Sequence, residues 1–398
     1  MNPSHSYRSS LRRVVVASDS FKGSLSSMQV AEAVECGIND ICPSCEVIKL
    51  SVADGGEGTL ESLMIAMGGT LTEVEVHDPL GRAIRASYGL FSSDVVSVGH
   101  STMNQSGDLT AVIELSAASG LCLLTPEERN PLATSTYGTG ELIADALSRG
   151  CRRFLMCIGG SATNDAGMGM LSALGYRFLD AGGSELKGIG ADIANVSQID
   201  DSNVFPGLSD SEFIVACDVD SPFCGPGGAA YVYAPQKGAD PEMVAILDQG
   251  MTHFSGIIAA HTGVDITDLP GAGAAGGVGG AMVAFFHACL ERGADMVLDA
   301  IRFDSLISDA DLVVTGEGSL DFQTLTGKLP YRVAERATCA GVPVVAVCGT
   351  AQISECSWLD AIIPVTPESM PLDVAIRQES ALANIRSAVS SFLMSFSV

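Results

Sequence analysis

The segment Ala53-Asp54-Gly55-Gly56-Glu57-Gly58-Thr59 sets two acids among three glycines, where an apolar run, Val47 to Val52, gives way to a helical pattern starting near Thr59. Glycines at such a corner let the backbone come close to a ligand with no side chain in between. Asp54 and Glu57 put negative charge beside a phosphate or metal position. The same construction recurs in Ile158-Gly159-Gly160-Ser161-Ala162-Thr163-Asn164-Asp165, in Pro270-Gly271-Ala272-Gly273-Ala274-Ala275-Gly276-Gly277, and in Val314-Thr315-Gly316-Glu317-Gly318-Ser319. Four glycine-rich turns carrying acids, amides or hydroxyls point to an enzyme that handles a phosphorylated substrate with a divalent metal.

Asp19-Ser20-Phe21-Lys22 lies just past the carboxyl end of a strand, where open α/β sheets bind ligands. A cation on that turn could hold a carboxylate or a phosphate. Asp54, Glu57, Asp165, Asp218, Glu317 and Asp321 also fall at expected strand ends or loops. Each alone is explained as a cap or turn acid; together they suit Mg²⁺, which takes one or two carboxylates plus substrate phosphates. One of them could instead accept a proton from a substrate hydroxyl. Ser161, Asn164 and Asp165 offer hydroxyl, amide and acid at a helix start.

Several other chemistries are excluded or disfavoured. Gly271 to Gly276 fits G-x-G-x-x-G and Asp295 lies near the right distance, but Asp265 to Pro270 is not a buried strand, so a glycine-opened helix N-terminus facing an anion is the better reading. Thr326-Gly327-Lys328 is followed by Leu329 where a P-loop needs Ser or Thr. The protein-kinase signatures and the G-x-S-x-G elbow are absent. The six histidines are dispersed with no H-E-x-x-H, which disfavours a zinc site.

The elements that must position these residues follow from periodicity. Val14 to Ala17 reads as a buried strand, and Ser26 with Gln29 as a capping box opening a helix with Val30, Val34 and Ile38 on one face. Val47 to Val52 returns as a parallel strand, and Gly68-Gly69 ends the following helix. Thr72 to Val76, Ala83 to Leu90, Val95 to Val98 and Ala111 to Leu115 read as short strands of a second, mixed domain. Further on, Arg153 to Ile158 and Phe213 to Cys217 read as strands, and Gly138 to Leu147, Asp165 to Leu174 and Ala281 to Glu291 as helices. Asp311 to Val314, Gly327 to Ala340 and Val342 to Val347 resume β-α-β order. The two ends are therefore expected to share one parallel sheet, with residues 1–75 and 290–398 forming a discontinuous Rossmann-like domain and 76–289 inserted.

A chain of 398 residues exceeds one ordinary core, and 47% hydrophobic residues suffice for fully buried sheets. A net charge of −26 argues against nucleic acid and against anionic lipid as partners. No apolar run approaches the ~18 residues of a membrane span. The twelve cysteines are scattered, most of them in apolar segments, and read as reduced core residues of a cytoplasmic protein. Cys42-Pro43-Ser44-Cys45 lacks a second pair, so it carries no zinc or redox reading. The polar first thirteen residues read as a frayed terminus.

These residues, in order, resemble the bacterial-type glycerate kinase family. The resemblance rests on Asp19 through Ser26, Val52 through Thr59, Ala117-Ala118-Ser119-Gly120-Leu121, Ser135 through Leu142, Gly159 through Asp165, and Ala216-Cys217-Asp218-Val219. It continues through Pro235-Gln236-Lys237-Gly238-Ala239, Pro270 through Gly280, and Thr315-Gly316-Glu317-Gly318 with Asp321, Gln323, Thr324, Gly327 and Lys328. Ser18 and Phe322 depart from the family pattern, and Ser92 to Leu109 looks like a local extension.

The resemblance implies ATP-dependent phosphorylation of D-glycerate with Mg²⁺, usually at the 2-hydroxyl, by two α/β domains with the active site in their cleft. On that reading Lys22 or Lys237 supplies the cation for the carboxylate, and Asp19, Ser20, Ser161 and Asn164 line the substrate. Asp218 or Asp165 is the base or positioning acid. Gly273, Gly276, Gly277, Gly316, Gly318 and Asp321 serve the nucleotide, Lys328 the transferred group, and one of Asp54, Glu57 or Glu317 the metal. Small-molecule substrates are the expected partners, and a homodimer is compatible with the sequence. Three alternatives stay open: phosphorylation at the 3-hydroxyl or of a related hydroxy acid, a nicotinamide-dependent oxidoreductase, and a non-catalytic binding protein for a small acid.

Overall fold

The computed structural model describes residues 11–21, 23–56, 58–92, 109–322, 324, 327–353, 356–367 and 369–395. Lys22, Glu57, Gln323 and the strand expected over Val95 to Val98 lie outside the described residues. The described strands are, in chain order, β1 (Arg13–Ser18), β2 (Glu46–Ser51), β3 (Thr70–His77), β4 (Ala83–Ser92), β5 (Leu109–Glu114), β6 (Cys151–Cys157), β7 (Arg177–Leu179), β8 (Gln198–Asp200), β9 (Glu212–Ala216), β10 (Cys289–Glu291), β11 (Leu312–Leu320), β12 (Val344–Ala351) and β13 (Ala361–Pro364). The chain divides into two compact units, one made of Met1–Asp54, Glu61–Ala66 and Val297–Val398, the other of Gly55–Leu60 and Met67–Met296.

The first unit is built on a parallel sheet in the order β13-β12-β11-β1-β2. Val14 pairs with Leu312 on one side and Val47 on the other, so the two ends of the chain share one sheet. Val14, Val15, Val16 and Ala17 are fully buried, as expected of a central parallel strand covered on both faces. The helix Ser27–Asn39 opens on the expected capping box: the Gln29 amide donates to Ser26 Oγ, and the Ser26 amide to Gln29 Oε1. Its apolar face, Val30, Val34 and Ile38, shares a core with Ile385 and Val389 of the helix Gln378–Ser395. Ser27 Oγ donates to Ser18 O at 2.6 Å and accepts the Val52 amide at 3.1 Å. One hydroxyl thus ties together the carboxyl ends of β1 and β2, where ligand-binding turns must sit.

The second unit is built on a mixed sheet in the order β10-β9-β6-β5-β4-β3, with β7 and β8 as a separate antiparallel pair. β5, β6, β9 and β10 run parallel, while β4 is antiparallel to both β3 and β5. Phe154 and Phe213 stack across β6 and β9 with ring centroids 4.6 Å apart, and Phe213 meets Phe286 at 4.8 Å.

The helix expected over Ala281 to Glu291 begins and ends earlier, at Ala274–Phe286. It ends at Phe286, where His287 takes a left-handed φ of 53°, and Cys289–Glu291 becomes β10 alongside β9. Likewise the helix expected from Asp165 begins only at Met168, after Ala166 and Gly167 turn left-handed. The 22-residue helix Pro241–Thr262 has no counterpart in the periodicity analysis; its signals are the Asp240 cap, which accepts the Met243 amide, and Pro241 in the first turn.

Gly37 marks the tightest crossing of the first unit's two long helices: a Cβ there would lie 2.8 Å from Arg386 O and 2.9 Å from Val389 Cβ. Gly37→Ala should therefore lower unfolding stability by about 1–3 kcal/mol despite its better helix propensity. Urea denaturation checks this; an unchanged midpoint would mean the two helices separate at no cost.

Candidate active site

In the second unit the carboxyl ends of β5, β6, β9 and β10 lie along one edge, and the first three are followed by segments singled out in the sequence. The corners touch. A Cβ on Gly159 would lie 2.8 Å from Gly56 Cα, and one on Gly55 would lie 2.7 Å from Gly293 Cα and 2.8 Å from Ala216 Cβ. Only glycine lets these three turns meet backbone to backbone. The Ala162 amide donates to Ser119 O and the Leu121 amide to Gly160 O, which fastens the Ser116–Ser119 turn to the same loop.

Asp165 is fully buried and organises this edge. Its Oδ2 accepts the amide and the hydroxyl of Thr136, each at 2.7 Å, and the Gly169 amide; Oδ1 accepts the Gly167 amide. Burial raises its pKa, and the hydrogen bonds from Thr136, Gly169 and Gly167 oppose that rise. Those bonds hold the turn in which Ala166, a non-glycine residue, sits at φ 53°. Thr136 belongs to the Ser135–Leu142 motif, but its side-chain role was not foreseen; the signal was a hydroxyl directly ahead of the helix Tyr137–Ser148.

Lys237 is 1% exposed. Its Nζ donates to Ser161 Oγ and to Thr163 O, both at 2.7 Å. Desolvation lowers its pKa to about 7, against the opposing pull of the Asp165 carboxylate. One loop is thus held by an ammonium at Ser161 and Thr163 and carries a buried carboxylate at Asp165. Within it Asn164, fully buried, donates to Met251 Sδ, while Asn164 Oδ1 and Thr163 Oγ1 have no hydrogen-bond partner among the described residues. Lys237 therefore meets the loop through both of its bonds.

Gly276 and Gly277 abut the same loop. A Cβ on Gly276 would lie 2.2 Å from Thr163 O, and one on Gly277 2.9 Å from Ala166 Cα; the Ala166 amide donates to Gly276 O at 3.0 Å. Both glycines, left-handed and buried, are accounted for by this packing. Gly273 is likewise pressed on Pro222 O, 2.2 Å from where its Cβ would stand. Past β9, Asp218 Oδ1 accepts the amide of Gly293, first residue of the helix Gly293–Ala300, which fixes the orientation of its carboxylate.

The first unit gathers the remaining acids at its own sheet edge. Ser18 at the end of β1 pairs with Gly316 of β11 and with Ser51 of β2, so Asp19 and Asp54 follow the ends of β1 and β2 while Glu317 lies within β11 beside the end of β1. Asp19 is nearly buried; its amide donates to Gly316 O and its carboxylate accepts the Ser20 amide at 2.7 Å. Glu317, also nearly buried, accepts a hydrogen bond from Thr324 Oγ1, and Thr324 in turn exchanges bonds with Asp321. Gly316 sits inside the sheet, where a Cβ would meet Val347 O at 2.0 Å, while Gly318 is half-buried near the end of β11. Lys328 caps the helix Leu329–Cys339 and is half-buried.

Among the described residues no three His, Cys, Asp or Glu side chains group as a metal cage. Asp54 and Glu317 supply two carboxylates at one sheet edge, a donor set that fits Mg²⁺ when phosphates complete its shell. Among the described residues the cysteines form no disulfide, and no described helix is long and apolar enough to cross a membrane.

The comparisons with known proteins agree with this arrangement. The model of the glycerate kinase family matches residues 14–395. The chain is 44% identical over 369 residues to a glycerate kinase of Bacillus subtilis (strain 168), covering 91% of this chain and 92% of that protein. It is 40% identical over 370 residues to the glycerate 2-kinase of Escherichia coli (strain K12), covering 92% and 93%. The crystal structure of a putative glycerate kinase 2 from Salmonella typhimurium LT2 superposes with a TM-score of 0.80 at 41% identity, over 97% of this chain and 98% of that one. With a match that spans both units and the ordered motifs meeting as described, this chain belongs to the glycerate kinase family.

Proposed function

We propose that this chain transfers the γ-phosphoryl group of ATP to D-glycerate, at the 2-hydroxyl, giving 2-phosphoglycerate and ADP. The observation that carries the reading is the convergence of the family motifs on one edge of the second unit's sheet, within a chain that matches the family over residues 14–395. The 2-hydroxyl is supported by the relative named glycerate 2-kinase.

In this proposal the hydroxyl oxygen of glycerate attacks the γ-phosphorus, the bond to the β,γ-bridging oxygen breaks, and the hydroxyl proton passes to a carboxylate. Asp218 is the better candidate for that carboxylate. It is half-buried past the end of β9, whereas Asp165 is fully buried and its oxygens accept the four bonds that hold its turn. Asp165 and Lys237 then act as positioning residues for the Ser161–Asp165 loop, with Ser161 and Asn164 beside the substrate. Lys328 stabilises the transferred group, and Lys22 and Glu57 keep the roles the resemblance gives them. Asp54 and Glu317 would hold Mg²⁺, which when bound offsets the negative charge of the phosphates. Positioning and charge stabilisation supply most of the acceleration in such a transfer.

Mixing the protein with ATP, Mg²⁺ and D-glycerate should release ADP, and phosphorus NMR of the product should show the ester on the 2-oxygen. No glycerate-dependent ADP would remove the reading, and an ester on the 3-oxygen would correct its regiochemistry. Asp218→Asn keeps the acceptor for the Gly293 amide but loses the base. It should lower kcat at least ~100-fold with little change in melting temperature, and near-normal turnover would exclude Asp218 as base.

Lys237 makes stability depend on pH in a definite sense. Its folded-state pKa lies below that of an unfolded lysine, so between pH ~7 and ~10.5 the unfolded chain binds the extra proton and this residue's contribution to stability rises with pH. Wild type should therefore gain on the order of 5 kcal/mol relative to Lys237→Met across that window. Urea titrations at a series of pH values check it; parallel curves for the two proteins would show that Lys237 does not titrate there.

A further inference from the structure

We infer that Arg129 is the residue that recognises the carboxylate of the substrate, a role that rests on the function proposed above. The chain carries 47 acids against 21 Lys and Arg, so an arginine without a carboxylate partner needs a reason. Arg82, Arg149, Arg153 and Arg177 show the rule, each bonded to an Asp or Glu at 2.5–3.1 Å. Arg152 departs from it by donating to the carbonyls of Leu147 and Cys151, and Arg302 is exposed. Arg129 is partly buried, and among the described residues its side chain makes no ion pair and no hydrogen bond. Its Nε is buried with no partner at all. The neighbouring Glu128 does not serve it, because that carboxylate is bonded to Arg82 at 2.7 Å.

Arg129 also stands at the right place. Gly238, the residue after Lys237, is left-handed at φ 97°; a Cβ there would lie 2.2 Å from Arg129 O and 2.9 Å from Arg129 Cβ. Arg129 thus packs against the turn whose lysine holds Ser161 and Thr163. The segment that follows it runs along the same loop. A Cβ on Gly190 would meet both Pro131 O, at 2.1 Å, and Asn164 O, at 3.0 Å, and Thr134 Oγ1 donates to Ala162 O at 3.1 Å. A guanidinium presents parallel N–H donors that match the two oxygens of a carboxylate, and a donor left buried without an acceptor is costly. A small hydroxy acid seated beside Ser161 and Asn164 would provide that acceptor, whereas the ammonium of Lys237 is already engaged.

The test uses Arg129→Gln and Arg129→Lys in the full chain, each checked by thermal melting. Arg129→Gln should raise the KM for D-glycerate about 50-fold, with kcat within a few-fold of wild type and the KM for ATP unchanged. Arg129→Lys, which keeps the charge but not the fork, should fall between the two, and it decides the matter if the glutamine variant does not fold. With glycerol, which has no carboxylate, wild type and Arg129→Gln should turn over alike. An unchanged KM for glycerate, or a raised KM for ATP in its place, overturns the inference. If wild type releases no ADP with glycerate, the proposed reaction fails on its own. Calorimetric titration of wild type and Arg129→Gln with a panel of small hydroxy carboxylates then still decides Arg129: equal affinities for every acid overturn its role, and loss of carboxylate affinity in the variant supports it.

Discussion

A single buried ammonium constrains the second unit. Lys237 reaches out of a short turn to grip a side-chain hydroxyl and a backbone carbonyl of the loop after β6, at the cost of leaving water. An isolated charge in that position would be strongly unfavourable, and the carboxylate of Asp165 a few residues along the loop offsets it. Removing either partner would leave the other uncompensated. The bonds of Lys237 and Asp165 therefore fix one conformation of the loop. That conformation holds Ala166 in left-handed backbone and presses Gly276 and Gly277 against it.

The glycines of this protein serve that constraint more than they serve a ligand directly. At Gly55, Gly159 and Gly276 the space a side chain would take is filled by the backbone or side chain of another corner. The turns can meet because they carry no Cβ, and their meeting sets Asp218, Ser161 and Asn164 along one edge. The first unit solves a similar problem with hydroxyls: Ser27 ties two strand ends together, and Thr324 links Glu317 to Asp321.

The pKa directions follow from the same burial. The Asp165 carboxyl is pushed up and the Lys237 ammonium down, each toward its neutral form, and both remain close to the loop they fix. Titratable groups so displaced are common at functional sites, but structural pairs show the same displacement. Here the hydrogen-bond inventory separates the two cases: Asp165 spends its oxygens on its own turn, and Asp218 spends one on the start of a helix.

Much of the architecture was legible in the sequence. Strands such as Val14 to Ala17 announce themselves because a strand covered on both faces is apolar throughout, and the Ser26–Gln29 box marks a helix start by chemistry alone. The order of nine motifs carried the family, and β-α-β order at both ends predicted the shared parallel sheet that the Val14–Leu312 register displays. The helix Pro241–Thr262 and the strand Cys289–Glu291 escaped, the first because its cap was passed over, the second because apolar periodicity cannot see a left-handed His287. Residue types and spacing determined which groups are available for chemistry. Only the tertiary structure decided that Lys237 faces inward, that Asp165 is sealed within its turn, and that Arg129 makes no ion pair among the described residues. Burial and hydrogen-bond pairing depend on segments far apart in the chain, and no local pattern encodes them.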